Sequence, residues 1–348
     1  MPGVLLSVSD ALALAAAGPD EVGVLTGHPV LAVDVDGAAP SDLARLATLT
    51  SALPCVTVGV SRRPLAFDAP PPPFDVLLSD VPEVAVPPWR SCLEGVDGAL
   101  RELEEAVGRA PQAAAVLVGV LRLGRGRSLE DGLAVESLAY ATLQAGAEHR
   151  AWLDGRAQRE RRVPAPAGKD PVDVVRDDGT LVVTLRRPEV RNAVDTAVRD
   201  GLVAAFDLAT RDDTVACVEL RGDGPDFSSG GDLDEFGTTP DPATAHLVRA
   251  SRSPARALAG CAERTTAYVQ GACIGAGVEL AALANWVVAR PDARFRLPEV
   301  AMGLIPGAGG TATIPRRIGP ELTAWMALTG TVVDAPTALR WGLVDAIV

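Results

Sequence analysis

The chain has 348 residues, 48% of them hydrophobic but only 4% aromatic, so its core must be built from Ala, Val and Leu rather than from large rings. A formal net charge of −13 argues against nucleic acid or an anionic membrane surface as a general partner. No apolar run is long enough to span a bilayer, the five cysteines form no CxxC pair and the three histidines lack metal-ligand spacing, which together suit a cytoplasmic protein with reduced thiols and no metal.

In chain order, the Ala-rich stretch 11–18 imitates the apolar part of a signal peptide. Asp10 precedes it and the first basic residue is Arg45, so it reads as a cytosolic helix. Residues 30–35 and 55–60 read as buried strands around a helix at 41–53, a βαβ unit, with a third strand at 74–78 after the stiff proline run 70–73. From Cys92 the pattern turns helical: helices are predicted at 92–107, 110–121 and 129–162, the last with one face at Leu133, Ser137, Tyr140 and Leu143. Residues 163–173, rich in Pro and Ala, read as a linker. Domains are therefore expected at 1–162, helical over 91–162, and at 174–348.

In the second part, Asp178-Gly179 predicts a hairpin between 174–176 and 181–186. A helix through Leu208 and a strand at 217–221 follow. Next come a polar loop at 238–244, a helix at 247–262, and strands at 265–269, 287–289 and 295–297. Helices at 309–318, 322–328 and 337–341 and a final strand complete the chain. Arg316 and Arg317 fall at the end of the first of these helices, where positive charge complements its dipole.

The stretch 269–311 carries the chemistry. Gly271, Gly275 and Gly277 crowd the start of a helix, where unpaired N–H groups can meet a developing oxyanion. Glu279 stands in that helix's first turn. Glu299 follows Pro298 and precedes a second Gly-rich turn, GLIPGAGG at 303–310. Two isolated glutamates have a bland reading, one favouring a helix dipole and the other solvated in a loop. Paired beside an oxyanion site, they suit acid–base chemistry next to a carbonyl. Cys273, inside the loop, reads as a small buried filler. No G-x-S-x-G elbow, P-loop or Rossmann fingerprint is present.

Five segments in order carry a resemblance: LRRPEVRNAVD (185–195), FSSGGDLDEF (227–236), GACIGAGVELA (271–281), LPEVAMGLIPGAGGT (297–311) and TALRWGLVDAIV (337–348). From about residue 174 to its end the chain resembles the crotonase (enoyl-CoA hydratase/isomerase) superfamily. The resemblance implies an α/β fold with a crotonase-type ββα superhelix core, here preceded by a smaller α/β domain that ends in helices. It implies an acyl-CoA thioester as substrate, with no cofactor beyond the coenzyme A of that substrate. Glu279 and Glu299 would be catalytic, adding water to a 2-enoyl thioester. The backbone N–H groups of Ser229 and Ala276 would form the oxyanion hole, where relatives usually have alanine and glycine. Substrate contacts would come from Arg191, Ala193, Ser229, Gly230, Gly231, Asp232, Leu233, Gly275, Pro298 and Gly307. A homotrimer or dimer of trimers is implied. The rivals are 3-enoyl to 2-enoyl isomerisation and a catalytically idle subunit that binds CoA thioesters.

The helical tail that usually follows the crotonase core is missing after GLVDAIV. The segment SLEDGLAVESLAYATLQAGAEHRAWLDGR (128–156) resembles that tail. The expectation is that helices 91–162 take its place, through circular permutation or through a degenerate first copy of the fold.

Overall fold

The computed structural model describes residues 5–63, 71–81, 86–92, 95–156 and 170–348. The predicted linker lies mostly outside the described residues, as do residues 157–162 of the last N-terminal helix and the first residue of the proline run. Helix α1 (Val8–Ala17) starts at Ser7, whose side chain accepts the Asp10 N–H. Then come β1 (Val30–Asp34), α2 (Pro40–Thr50), β2 (Val56–Ser61), β3 (Val76–Ser79) and β4 (Arg90–Ser91). The four strands form a parallel sheet in that order. Strand β2 is buried along its whole length, as an inner strand of a doubly covered parallel sheet should be.

Four helices follow: α3 (Val96–Arg109), α4 (Pro111–Gly124), α5 (Leu129–Gln144) and α6 (Ala147–Arg156). Pro111 opens α4 and bars Ala110 from continuing α3, so the two meet at 109°. Among the described residues no single helix is long and apolar enough to cross a membrane. The single helix predicted over 129–162 is broken after Gln144. Ala145 and Gly146 turn the chain, and His149 Nδ1 comes to 2.9 Å from the Met302 carbonyl oxygen.

The remainder contains β5 (Val172–Asp177), β6 (Thr180–Leu185), α7 (Thr196–Arg211), β7 (Cys217–Gly222), α8 (Pro242–Ser251), α9 (Pro254–Ala259) and β8 (Thr265–Val269). It continues with β9 (Ala272–Ile274), α10 (Ala276–Ala281), β10 (Trp286–Ala289), β11 (Arg294–Arg296) and α11 (Gly310–Thr313). It ends with α12 (Pro315–Thr329), β12 (Val333–Asp334), α13 (Ala335–Trp341) and β13 (Ala346–Ile347). The strands form a six-stranded sheet, β13-β10-β8-β7-β6-β5, and a three-stranded sheet, β12-β11-β9. Successive strands β8 and β9, and β10 and β11, enter different sheets before a helix, which is the ββα repeat expected. The helix predicted over 247–262 is two helices. Pro254 has no N–H to continue α8, and Ser253 caps α9 instead. Arg316 and Arg317 stand at the start of α12 rather than at a helix end. Arg317 pairs with Asp345 at 3.0 Å and Arg316 donates to the Ala312 and Arg127 carbonyls, so both serve packing.

The two parts share one core. Leu103, Val107 and Leu117 of α3 and α4 belong to the same buried apolar cluster as Leu322, Trp325 and Met326 of α12. Arg125 pairs with Glu321 at 2.8 Å and Arg90 lies 5.4 Å from the Trp325 ring centroid. Each fully buried Leu of this kind stabilises by about 1.5–3 kcal/mol, so α3 and α4 hold to the second part by burial as well as by chain connection. That seating brings α5 against α8 and α11, over the stretch that carries Glu279 and Glu299.

Candidate active site

Two loops are zipped side by side. The Phe227 N–H donates to the Gln270 carbonyl at 2.8 Å, Ser228 N–H to Ala272 at 3.0 Å, and Ile274 N–H to Ser228 at 2.9 Å. The approach is too close for side chains. A Cβ on Gly230 (φ 87°) would lie 2.8 Å from the Ile274 carbonyl oxygen, and one on Gly275 (φ 49°) would strike Glu299 Oε1. The zipper delivers Gly231 and Ala276 to the wall of one cavity of about 370 Å³. Among the described residues neither N–H has an acceptor. Ala276 is the first residue of α10, where an unpaired N–H is inherent to the helix.

One expected donor, the Ser229 N–H, has a partner within the fold. The Ser229 N–H is spent on the Arg191 carbonyl at 2.8 Å, and Ser229 does not line the cavity. Arg191 and Asn192 both have left-handed backbones, φ 56° and 54°. Asn192 fixes the bend: its Oδ1 accepts the Arg187 N–H and its Nδ2 donates to the Asp223 and Asp226 carbonyls. The bend turns the Arg191 carbonyl onto Ser229, and Gly231, two residues on, is the residue that faces the cavity.

Glu279 and Glu299 both line that cavity and both are buried. Glu279 Oε2 accepts N–H bonds from Ala308 at 2.7 Å and Gly310 at 2.8 Å. Glu299 Oε2 is buried and has no hydrogen-bond partner among the described residues. A third carboxylate joins them, one that no sequence motif marks. Glu136 of α5 is 2% exposed; its Oε1 accepts the Gly309 N–H at 2.7 Å, and its Oε2 accepts the Thr311 N–H at 2.8 Å and the Thr311 hydroxyl at 2.7 Å. Four successive backbone N–H groups, residues 308 to 311, thus point alternately at Glu279 and Glu136. A helix from the first part of the chain and a helix from the second hold one turn between them.

Burial raises the proton affinity of all three carboxyls. It brings Glu136 to about 7 and Glu299 to about 8, and with repulsion from Glu299 and Glu136 it holds Glu279 well above the usual carboxylate range. The two N–H bonds to Glu279 favour its ionised form, against burial and the repulsion from Glu299 and Glu136. The pairing has a consequence for stability. Each raised carboxyl keeps its proton in the folded state and loses it in the unfolded state between about pH 4.5 and its folded value. Stability therefore falls as pH rises, by about 1.4 kcal/mol per unit for each such group. His149, whose affinity burial lowers, acts in the opposite sense below its ordinary 6.5. The window from 6.5 to 8.5 isolates the carboxyls: the urea midpoint is expected to fall across it, and a flat or rising midpoint would show the three acids ionising without cost.

Of the other residues marked in the sequence, Gly307 lines the cavity against the Tyr140 ring. Gly230 and Gly275 frame the cavity as the close-approach glycines. Arg191 is ion-paired with Asp226 at 2.7 Å, its side chain 62% exposed, and Asp232 lies 3.5 Å from Arg187. Ala193, Leu233 and Pro298 do not line this cavity either. Cys273 is fully buried, and burial pushes its thiol up, as a filler requires.

Comparison with known proteins gives the site a context. The sequence model of the family described as enoyl-CoA hydratase/isomerase matches residues 176–348. The chain is 37% identical over 174 residues to 2,3-dehydroadipyl-CoA hydratase of Escherichia coli strain K12, a match spanning 50% of this chain and 68% of that one. It is 36% identical over 175 residues to a probable enoyl-CoA hydratase of Mycobacterium tuberculosis, with the same coverage. Among solved structures, one from Thermoplasma volcanium titled enoyl-CoA hydratase aligns over 52% of this chain and 72% of its own at 30% identity and a TM-score of 0.47. A Thermobifida fusca structure titled a putative enoyl-CoA hydratase in complex with CoA aligns over 51% and 72% at 29% identity and the same TM-score.

Proposed function

This chain belongs to the enoyl-CoA hydratase/isomerase family, and from that premise we propose that it adds water syn across the C2=C3 bond of a 2-enoyl-CoA thioester to give a 3-hydroxyacyl-CoA. The observation that carries the reading is the pair of buried glutamates in one cavity, Glu279 with one oxygen held by two N–H groups and Glu299 with one oxygen unpartnered. The thioester carbonyl oxygen accepts the N–H groups of Gly231 and Ala276, which draws electron density from C3. A water held between the carboxyls adds through its oxygen to C3 as Glu279 takes its proton. The enolate that forms at C1–C2 is held by the two N–H donors, and C2 collects a proton from Glu299. Glu279 ends protonated and Glu299 ionised. One proton passed back, directly or through solvent, resets the site. The water oxygen reaches C3 and the proton reaches C2 from the same side of the reacting carbons, hence syn addition.

The helices of the first part, on this reading, cover the acyl site. Support comes from α5, which closes the cavity with Leu133, Glu136 and Tyr140.

The oxyanion donor has a clean test. Ala276 is the first residue of α10, where proline is tolerated because its missing N–H costs the helix nothing. Ala276→Pro is expected to lower kcat by about 10²–10³-fold with little change in melting temperature. An unchanged kcat would remove that N–H from the mechanism. The function itself is tested with crotonyl-CoA and a longer 2-enoyl-CoA, following loss of the conjugated thioester absorbance. Turnover supports hydration. No turnover at any length, with 3-enoyl-CoA converted to 2-enoyl-CoA, would make the protein an isomerase; no turnover of either, with CoA thioesters bound, would make it a binding subunit.

A further inference from the structure

We infer that the cavity selects an acyl group with an anionic tail, an ω-carboxylate, through the guanidinium of Arg249 in its wall. The inference rests on the hydratase reading only for the position of the thioester. The cavity wall away from the glutamates is largely apolar, with Leu133, Ala134, Val194, Phe236 and Val248. Arg249 of α8 stands in that wall, its guanidinium 4.4 Å from the Tyr140 ring centroid. Its hydrogen bonds go to neutral acceptors: Gln144 Oε1 at 3.1 Å, the Ser137 hydroxyl at 3.4 Å and the Ser137 carbonyl at 3.5 Å. Among the described residues no carboxylate lies within ion-pair distance of it. Of the other three arginines on the cavity, Arg256 pairs with Glu130 at 2.7 Å, Arg199 pairs with Asp200 at 2.9 Å, and Arg252 is exposed to solvent. Glu136, the carboxylate whose field reaches Arg249, has both oxygens committed to Gly309 and Thr311.

A partly desolvated cation with no carboxylate in direct contact is costly unless something pairs with it. Here the neutral acceptors leave the guanidinium able to take a planar anion on two N–H groups, the geometry arginine suits best. The location chooses among anions. Tyr140 packs on Gly307, the residue before Ala308, whose N–H holds Glu279. Arg249 covers the same ring. It therefore lies one aromatic side chain away from the turn that positions Glu279, next to where C2 and C3 react. The phosphates of coenzyme A lie a long pantetheine arm away from the thioester. On this proposal a carboxylate a few carbons beyond C3 would pair with Arg249, and the phosphates of the same molecule, with its thioester at Gly231 and Ala276, would lie elsewhere.

The test compares trans-2-hexenedioyl-CoA (a mono-thioester with a free terminal carboxylate) with trans-2-hexenoyl-CoA, in the wild type, Arg249→Met and Arg249→Lys. The wild type is expected to favour the dicarboxylyl substrate in kcat/KM by roughly 30-fold or more, the scale of a buried charge pair. In Arg249→Met that ratio collapses towards one or below, and Arg249→Lys keeps part of it. Calorimetric binding of adipyl-CoA against hexanoyl-CoA reads the same ratio without turnover, so it holds even if hydration itself fails. A wild-type ratio near one overturns the inference. So does an equal loss for both substrates in Arg249→Met, which would place the guanidinium on coenzyme A or in packing alone.

Discussion

The substitution Glu299→Gln is expected to lower kcat for hydration by about 10²–10⁴-fold, the usual worth of a positioned proton donor, and to raise stability at pH 8. The two effects have one cause. Glu299 is buried, its Oε2 lacks a partner, and burial carries its proton affinity up to about 8. That makes it an acid at neutral pH and also makes its ionised form a liability in the fold. Glutamine preserves the shape, cannot release a proton to C2, and carries no charge to desolvate. The midpoint in urea should therefore rise at pH 8 and hardly change at pH 5, where the carboxyl is already neutral in the fold. A variant that loses activity and stability together would instead mark Glu299 as a packing residue.

The second large effect is expected from a residue outside every catalytic motif. Glu136→Ala removes the acceptor from three buried donors, the Gly309 and Thr311 N–H groups and the Thr311 hydroxyl. Each buried group left unsatisfied costs about 1–3 kcal/mol, so a loss of roughly 3 kcal/mol or more is expected. The turn so loosened is the one whose Ala308 and Gly310 N–H groups hold Glu279, and kcat should fall by about 10²-fold, since small misplacements of a catalytic group are costly. Glu136 is a positioning residue, and Glu136→Gln separates that role from simple stability. It keeps the volume and removes the charge that raises Glu279. The proton affinity of Glu279 then falls, and the acid limb of kcat/KM moves to lower pH. A limb that stays in place would confine Glu136 to structure.

Glu279, Glu299 and the glycines that flank them are legible in the sequence because their placement is local. A strand end, a glycine that must take φ near 50° and a helix start are written within a dozen residues. Glu136 is different, since it meets Gly309 only through the packing of α5 on α11. A signal was nonetheless present. Leu133, Tyr140 and Leu143 mark an apolar helix face, and Glu136 falls on the same face at i+3 from Leu133; a carboxylate there must be buried and must find partners. That Gly231 rather than Ser229 faces the cavity was not legible. It turns on the left-handed backbones at Arg191 and Asn192, which Asn192 pins through three contacts to residues 187, 223 and 226. Of the two misplaced helix boundaries, Pro254 is a breaker visible in the sequence, whereas the turn at Gly146 depends on where α6 must lie to bring His149 to Met302.

Hydration by the Glu279–Glu299 pair is tested most directly by turning over crotonyl-CoA in deuterium oxide enriched in oxygen-18, with wild type, Glu279→Gln and Glu299→Gln side by side. The expected product is 3-hydroxybutyryl-CoA with one labelled oxygen at C3 and one deuterium at C2 on the same face, formed by wild type and lost in both variants. Deuterium exchanged into recovered thioester with no oxygen-18 gained, or labelled product undiminished in either variant, would contradict it.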